Sequence, residues 1–318
     1  MCTAVSFCTK NTYFGRNLDL EYSYEERVVI APRGFVFPFL LENELKEHYA
    51  MIGTAYVAQG YPLFYDAMNE KGIGMAGLAF AGNAVYRRAE DGWNNIAPHE
   101  LIPWVLGQCA TMEEVRNLLT KLRVVDLDFS GELKNTPLHW MISDGRQSIV
   151  VEAVAEGVRF YSNTIGVLTN NPPFPYQMLH LSNYMRVTRR PPETTFADDL
   201  QLEVYSRGMG GLGLPGDLSS PSRFVRAAFV RMNSVCGESE EESVNQFFHI
   251  LTSVEQQKGC VLLADNQYEY TVYSSCCSLQ TGKYYYTTYE NRSIRCMEMR
   301  ESEKNGSCLI LGEILGET

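Results

Sequence analysis

An α+β fold, with antiparallel sheets covered by helices, is predicted from three features of the chain. Blocks of β-prone sequence alternate with blocks of helical sequence, without the strand–helix–strand rhythm of a parallel sheet. Two central strand candidates are joined through an Asp-Gly turn, a hairpin signal. β-prone sequence both opens and closes the chain, so the first and last blocks are expected to share one core, in a single domain over residues 1–318.

The elements follow in order. Residues 2–8 form a short β-prone run, and 12–14 follow after a polar Lys-Asn turn. Residues 28–30 are a third strand candidate, before Pro32 and Gly34. The closely spaced glycines of 72–82 predict a strand that another backbone approaches. Residues 98–109 read as a helix, and 111–121 as a second that opens on a Thr-x-x-Glu capping box. Residues 138–143 and 148–154 are the Asp-Gly hairpin, with 158–161 and 166–169 expected to continue the meander. Helical patterns return at 176–187, 224–235 and 239–253, the last with glutamates in its first turn, where the helix dipole favours them. A Gly/Pro/Ser-rich loop covers 206–222, and strands are predicted at 269–275, 283–289 and 293–299.

Composition narrows the function classes. The chain has 318 residues, of which 45% are hydrophobic, so it is a folding chain and not a disordered one. Lys plus Arg number 27 and Asp plus Glu 38, a net charge of −11 that argues against nucleic acid or an anionic membrane as the main partner. No apolar run reaches the roughly 18 residues of a membrane span, and the start lacks the basic and apolar regions of a signal peptide. A soluble, cytoplasmic protein is the expectation. The nine cysteines are odd in number and irregularly spaced, so they are expected to be reduced thiols, most of them buried.

Metal and phosphate chemistry find little support. The five histidines form no His-Glu-x-x-His, there is no Cys-x-x-Cys, and the glycine-rich stretch 208–216 runs into Pro215 rather than into a helix. No cofactor is expected. The N-terminus carries more. Cys2 directly follows Met1, and removal of Met1 would leave a cysteine with a free α-amine, a nucleophile and a base in one residue. Arg16 and Asp19 interrupt the next strand-like segment; an arginine near Cys2 would favour the thiolate, and an aspartate could orient the amine. Taken singly, Cys2 is a small residue and Arg16 with Asp19 an ordinary solvated pair.

Seven ordered blocks, MCTAVSF, FGRNLDLEYS, MNEKGIGMAGLAF, NTPLHWMISD with SIVVE, GVLTNNPPF, GLPGDLSSPSRFVRAAF and YYYTTYEN, resemble the choloylglycine hydrolase family. That family comprises bile salt hydrolases and penicillin V acylases, N-terminal-nucleophile hydrolases that need no cofactor. The resemblance implies a four-layer αββα sandwich and a homotetramer. It implies Cys2 as nucleophile, Asp19 as the carboxylate on its new amine, Arg16 beside the thiol, Asn170 as an oxyanion donor and Arg223 as completing the polar network. It implies the backbone N–H of Ala79 as the second oxyanion donor, at a position where bile salt hydrolases usually carry Asn and penicillin V acylases Tyr. That departure leaves hydrolysis intact and puts substrate choice in question.

A conjugated bile acid, the substrate the overall match favours, needs an apolar pocket. Aromatic segments 35–39 and 61–65 are the candidate walls, Phe37, Phe64 and Tyr65 in particular, though each is equally a core residue. Arg207, in the Ser-Arg-Gly of the flexible loop, resembles the pattern associated with taurine conjugates. Penicillin V or another N-acyl amide is the nearest alternative substrate. A non-catalytic bile-acid or lipid binder is the alternative of another class.

Overall fold

The computed structural model describes residues 1–315; the last three residues of the predicted domain, 316–318, lie outside the described part. In chain order the strands of the first half are β1 (Cys2–Cys8), β2 (Thr12–Leu20), β3 (Arg27–Ala31), β4 (Met51–Ala58), β5 (Tyr61–Asn69), β6 (Gly74–Ala79) and β7 (Asn94–Ile96). Helices α1 (Leu101–Gln108) and α2 (Met112–Leu119) follow, then β8 (Leu122–Val124), β9 (Leu138–Ser143), β10 (Ser148–Val154), β11 (Gly157–Ser162) and β12 (Val167–Leu168). Helices α3 (Phe174–Leu181), α4 (Ser220–Asn233) and α5 (Glu240–Thr252) precede β13 (Val261–Leu262), β14 (Tyr268–Ser278), β15 (Lys283–Thr288), β16 (Arg295–Glu298) and β17 (Ile310–Ile314).

Two antiparallel sheets face each other. One runs β12-β1-β2-β14-β15-β16, with β13 on β14; the other runs β11-β10-β9-β6-β5-β4-β3-β17. Helices α4 and α5 lie on the first sheet against β1, β2, β12 and β14. Helices α1 and α2 cover the second sheet with Leu101, Val105, Leu106, Met112 and Val115. The order helix, sheet, sheet, helix is the four-layer sandwich. As expected, β1 and β2 share a sheet with β14, β15 and β16. The sheets approach closely: a Cβ on Gly74 of β6 would stand 2.6 Å from the Phe14 ring of β2. The Asp-Gly hairpin forms with Ser143 opposite Ser148, and Gly145 sits at φ +83, the left-handed region glycine tolerates.

Several expectations need correction. Segment 61–65, for which no strand was predicted, is the start of β5. Pro62 is tolerated there because β5 pairs with β6 only at Asp66–Met68, so the missing N–H leaves no ladder bond unmade on that side. Strands β4 and β17 were not anticipated. The segment around Val167 leaves the meander and pairs with β1 in the other sheet. Helices α3 and α4 begin earlier than predicted, because Pro175 and Pro221 sit in their first turns, where a proline costs no hydrogen bond. Cys2, Cys109, Cys276 and Cys277 are buried, Cys236 is half-buried, and Cys8, Cys260, Cys296 and Cys308 are exposed, so most of the thiols are not core filler.

Candidate active site

β1 and β2 pair with Ala4 opposite Arg16 and Cys2 opposite Leu18. Side chains alternate along a strand, so Cys2 and Arg16 share the face toward the second sheet, while Thr3, Asn17 and Asp19 share the face toward the helices. Cys2 is therefore approached from both sides.

From the sheet side, Arg16 Nη2 donates to Cys2 Sγ at 2.6 Å. Arg16 Nη1 donates to the carbonyls of Tyr65 at 2.9 Å and Gly77 at 2.5 Å. These two carbonyls belong to β5 and β6 just beyond the point where the strands stop pairing. The guanidinium fills the gap between them. Burial alone would lower the Arg16 pKa, but the charges of Cys2, Tyr273, Asp66 and Asp19 outweigh it and raise the value.

From the helix side, Arg223 reaches in. It is fully buried in the first turn of α4, an unfavourable place for a cation against the helix dipole. All three of its nitrogens donate close by: Nη1 to Cys2 O and Thr3 Oγ1, both at 2.6 Å, Nη2 to Asn170 Oδ1 at 2.6 Å and Nε to Leu218 O at 3.0 Å. Burial lowers its pKa, and Asp19 and Cys2 push the other way.

Asn170 follows β12, whose pairing with β1 brings it beside Cys2. Its Oδ1 accepts from Cys2 N at 2.9 Å, and its Nδ2 donates to Ala79 O at 2.9 Å. The second N–H of that amide remains available. Ala79 ends β6. Phe80 N donates to Pro137 O, so by antiparallel alternation Leu78 and Phe80 turn their backbone groups toward β9, and Gly77 and Ala79 turn theirs away. The Ala79 N–H thus faces the same gap as the Arg16 guanidinium.

Asp19 Oδ1 accepts from Thr271 Oγ1 at 2.6 Å; Thr271 is its register partner in β14. Asp19 Oδ2 is buried without a hydrogen bond, 4.0 Å from Arg223 Nη1. Met1 precedes Cys2 here, so Cys2 N is an amide. The Met1 ammonium donates to Asp19 O at 2.7 Å and pairs with the buried Glu269 carboxylate. Burial lowers the pKa of that ammonium.

The structure therefore gathers Cys2, Arg16, Asp19, Ala79, Asn170 and Arg223. It does not gather the remaining candidates equally. Tyr65 is present through its carbonyl, and its ring packs on the core beside Cys2. Phe37 is fully buried, packed against Phe35, His48 and Tyr61 in the core under α1 and α2, and offers no face to a ligand beside Cys2. Phe64 is buried in that same core. Arg207 is exposed and makes no bond to the group around Cys2.

Sequence reasoning missed Thr271, Glu269, Ser220, Gln177 and His139. Ser220 Oγ accepts from Asn170 N, and Gln177 Nε2 donates to Asn170 O. His139 is bonded to Thr169 O and Glu152 and stacks on Phe80, so it touches the neighbours of both Asn170 and Ala79. No local signal marks these residues, since each meets its partner only through strand pairing or helix docking. Among the described residues, no group of three or more His, Cys, Asp or Glu is placed to hold a metal ion. No helix among them is long and apolar enough to cross a membrane.

On a two-sheet sandwich, an N-terminal-strand cysteine bonded to a buried arginine has the Asn170 amide and the Ala79 backbone converging beside it. The chain belongs to the linear amide C–N hydrolases of the choloylglycine hydrolase family, whose model matches residues 2–311. It is 50% identical over 310 residues to a bile salt hydrolase/transferase of Lactiplantibacillus plantarum, covering 98% of this chain and 96% of that protein. It is 37% identical to a bile salt hydrolase/transferase of Clostridium perfringens, covering 96% and 95%. The crystal structure of the C2A conjugated bile acid hydrolase from Clostridium perfringens superposes with a TM-score of 0.90 at 36% identity, covering 98% and 97%. A penicillin V acylase from Agrobacterium tumefaciens shares the fold, with a TM-score of 0.78 at 17% identity, covering 99% and 93%. The chain is an amide hydrolase.

Proposed function

We propose that this chain, as one domain, hydrolyses the amide bond between a bile acid and glycine or taurine, using Cys2 as nucleophile once Met1 has been removed. The observation that carries the proposal is the 2.6 Å contact from Arg16 Nη2 to Cys2 Sγ, with both residues buried. A buried guanidinium there stabilises a thiolate. The bile acid half of the proposal is supported by the relatives, which are named for that substrate over nearly their full length.

In the proposed reaction the Cys2 sulfur attacks the amide carbonyl, and the carbonyl π electrons move onto oxygen. The oxyanion takes hydrogen bonds from the remaining Asn170 N–H and from the Ala79 N–H. As the C–N bond breaks, the leaving nitrogen takes a proton delivered through the Cys2 α-amine, giving free glycine or taurine and a thioester. Water then attacks the thioester while the α-amine accepts its proton, and the thiol leaves as the bile acid is released. The unpartnered Asp19 Oδ2 is the acceptor that would hold this amine.

Tyr65 is retained as a proposed pocket residue. Arg207, acting from the exposed loop on a neighbouring subunit, is proposed to favour the taurine sulfonate. Exposed apolar side chains on α3, on the loop and at the end of α4, among them Leu179, Met185, Tyr205 and Met232, support the homotetramer this requires. A cytoplasmic location completes the reading. The test is incubation of the processed chain and its C2A variant with taurocholate, glycocholate and penicillin V. Cys2-dependent release of taurine or glycine supports the proposal. Preferential cleavage of penicillin V keeps the nucleophile and moves the substrate. No cleavage, with loss of Met1 verified by intact mass, points to a binder.

A further inference from the structure

The seam between the sheets holds a second charged group that the reaction above does not use. Asp66, in β5, is fully buried. Tyr273 OH donates to its Oδ1 at 2.5 Å, and Tyr284 OH and Ser275 Oγ donate to its Oδ2 at 2.7 and 3.0 Å. Tyr284 OH has only one proton, so its 2.7 Å partner Thr54 Oγ1 is the donor to it. Three hydroxyls thus stand within donating distance of Asp66, an arrangement that can hold an ionised carboxylate.

A buried carboxylate is costly unless a cation stands near it. Two short links lead from Asp66 to Arg16. Ser275 Oγ accepts from Arg16 N at 3.2 Å. Tyr65, the residue before Asp66, gives its carbonyl to Arg16 Nη1. The hydrogen-bond acceptors of the guanidinium are backbone carbonyls and the Cys2 sulfur, with no carboxylate among them. Burial raises the Asp66 pKa overall; Arg16 is the largest influence opposing that rise, ahead of the hydroxyls of Tyr273, Tyr284 and Ser275.

We infer that Asp66 is the fixed counter-charge of Arg16 and a positioning residue for Cys2: it compensates the buried guanidinium in the seam and offsets part of its field at the sulfur. The charged and titratable groups acting on Arg16 are Cys2 from β1, the N-terminal ammonium just ahead of it, Asp19 from the opposite face of its own strand, Tyr65 and Asp66 from β5 and Tyr273 from β14. Arg223 faces Cys2 from α4. Asp66 is the one carboxylate among them built into the second sheet. The inference rests on Cys2 being the nucleophile, but its test reads thiol reactivity and not amide cleavage, so the two can fail separately.

The experiment measures iodoacetamide alkylation of Cys2 in the processed chain against pH, by mass of the N-terminal peptide, for the parent, Asp66→Asn and Thr54→Val. Removing the negative charge should move the Asp66→Asn midpoint down by about one pH unit. Its limiting alkaline rate should fall about threefold, because a more acidic thiol is a weaker nucleophile. Thr54→Val loosens the same network without touching a charge and should leave the midpoint in place. A midpoint unchanged in Asp66→Asn, or moved equally in Thr54→Val, overturns the inference. Should Asp66→Asn not fold, Asp66→Ser is equally neutral and must give the same downward shift, with no shift again overturning it.

Discussion

Arg223 Nη2 donates to Asn170 Oδ1 at 2.6 Å, and this bond decides which way the Asn170 amide faces. A guanidinium has donors only, so the oxygen of the amide must turn to it and the NH2 group to the opposite side, toward Ala79. The arginine thereby aims the donor proposed for the oxyanion. Asn170→Ala, and equally Asn170→Asp, which accepts but cannot donate, should each lower kcat by about 10²–10³ with little change in KM. Steady-state kinetics on glycocholate with both variants would decide it; a change confined to KM would speak against an oxyanion role.

Gly74 has no room for a side chain. A Cβ there would meet the Phe14 ring at 2.6 Å across the inter-sheet gap. Overpacking of this kind costs about 1–3 kcal/mol. Gly74→Ala should lower the urea midpoint accordingly, and Gly74→Val should lower it further. An unchanged midpoint would mean the sheets separate more easily than their packing suggests.

Thr111 caps α2. Glu114 N donates to Thr111 Oγ1 at 3.2 Å, and the Glu114 carboxylate returns to the Thr111 backbone N–H at 3.2 Å. Thr111→Ala removes the side-chain acceptor and should cost about 1 kcal/mol, while Thr111→Ser should cost far less. Chemical denaturation of the two variants side by side is the measurement.

His99 makes folding sensitive to acid. Burial lowers its pKa to about 4 from an ordinary 6.5, with Asp128 opposing weakly, and its Nδ1 is buried without a partner between Tyr61 and Phe129. Between those two values the unfolded chain holds a proton that the folded chain does not. Stability contributed by the neutral ring is therefore present above about pH 6.5 and is lost as the pH falls toward 4. The loss is at most about 3 kcal/mol. His99→Phe should flatten the stability–pH curve in that window, and a slope that persists would assign it to other groups.

The sulfonate contact proposed for Arg207 concerns substrate choice alone. Arg207→Ala should reduce the taurocholate-to-glycocholate rate ratio without altering the rate on glycocholate. An unchanged ratio removes the proposed sulfonate contact.

Much of this was legible in the chain, and the limits have physical causes. A β-prone run placed β1, the Asp-Gly turn placed the β9–β10 hairpin, the Thr-x-x-Glu box placed the start of α2 and first-turn glutamates that of α5, because these signals are local and act through the residues' own backbone. Helices α3 and α4 start ahead of the expected 176 and 224 with Pro175 and Pro221 in their first turns, where a proline gives up no helical hydrogen bond. Phe37 and Phe64 read equally as pocket wall or core, and only their position under α1 decided for core.

By itself the sequence determined the α+β class and the family through its ordered motifs, and it named as candidates the six residues that the fold gathers, Cys2, Arg16, Asp19, Ala79, Asn170 and Arg223. Their residue types and flanking motifs are properties of short segments. Tertiary structure alone decided that Arg16 enters from the sheet side and Arg223 from the helix side, and that Thr271 holds Asp19. It also decided that Asp66 stands behind Arg16 with three hydroxyl donors on it. These partners lie on strands and helices far apart in the chain. Strand register and the stacking of two sheets bring them together, and neither is written in any one segment.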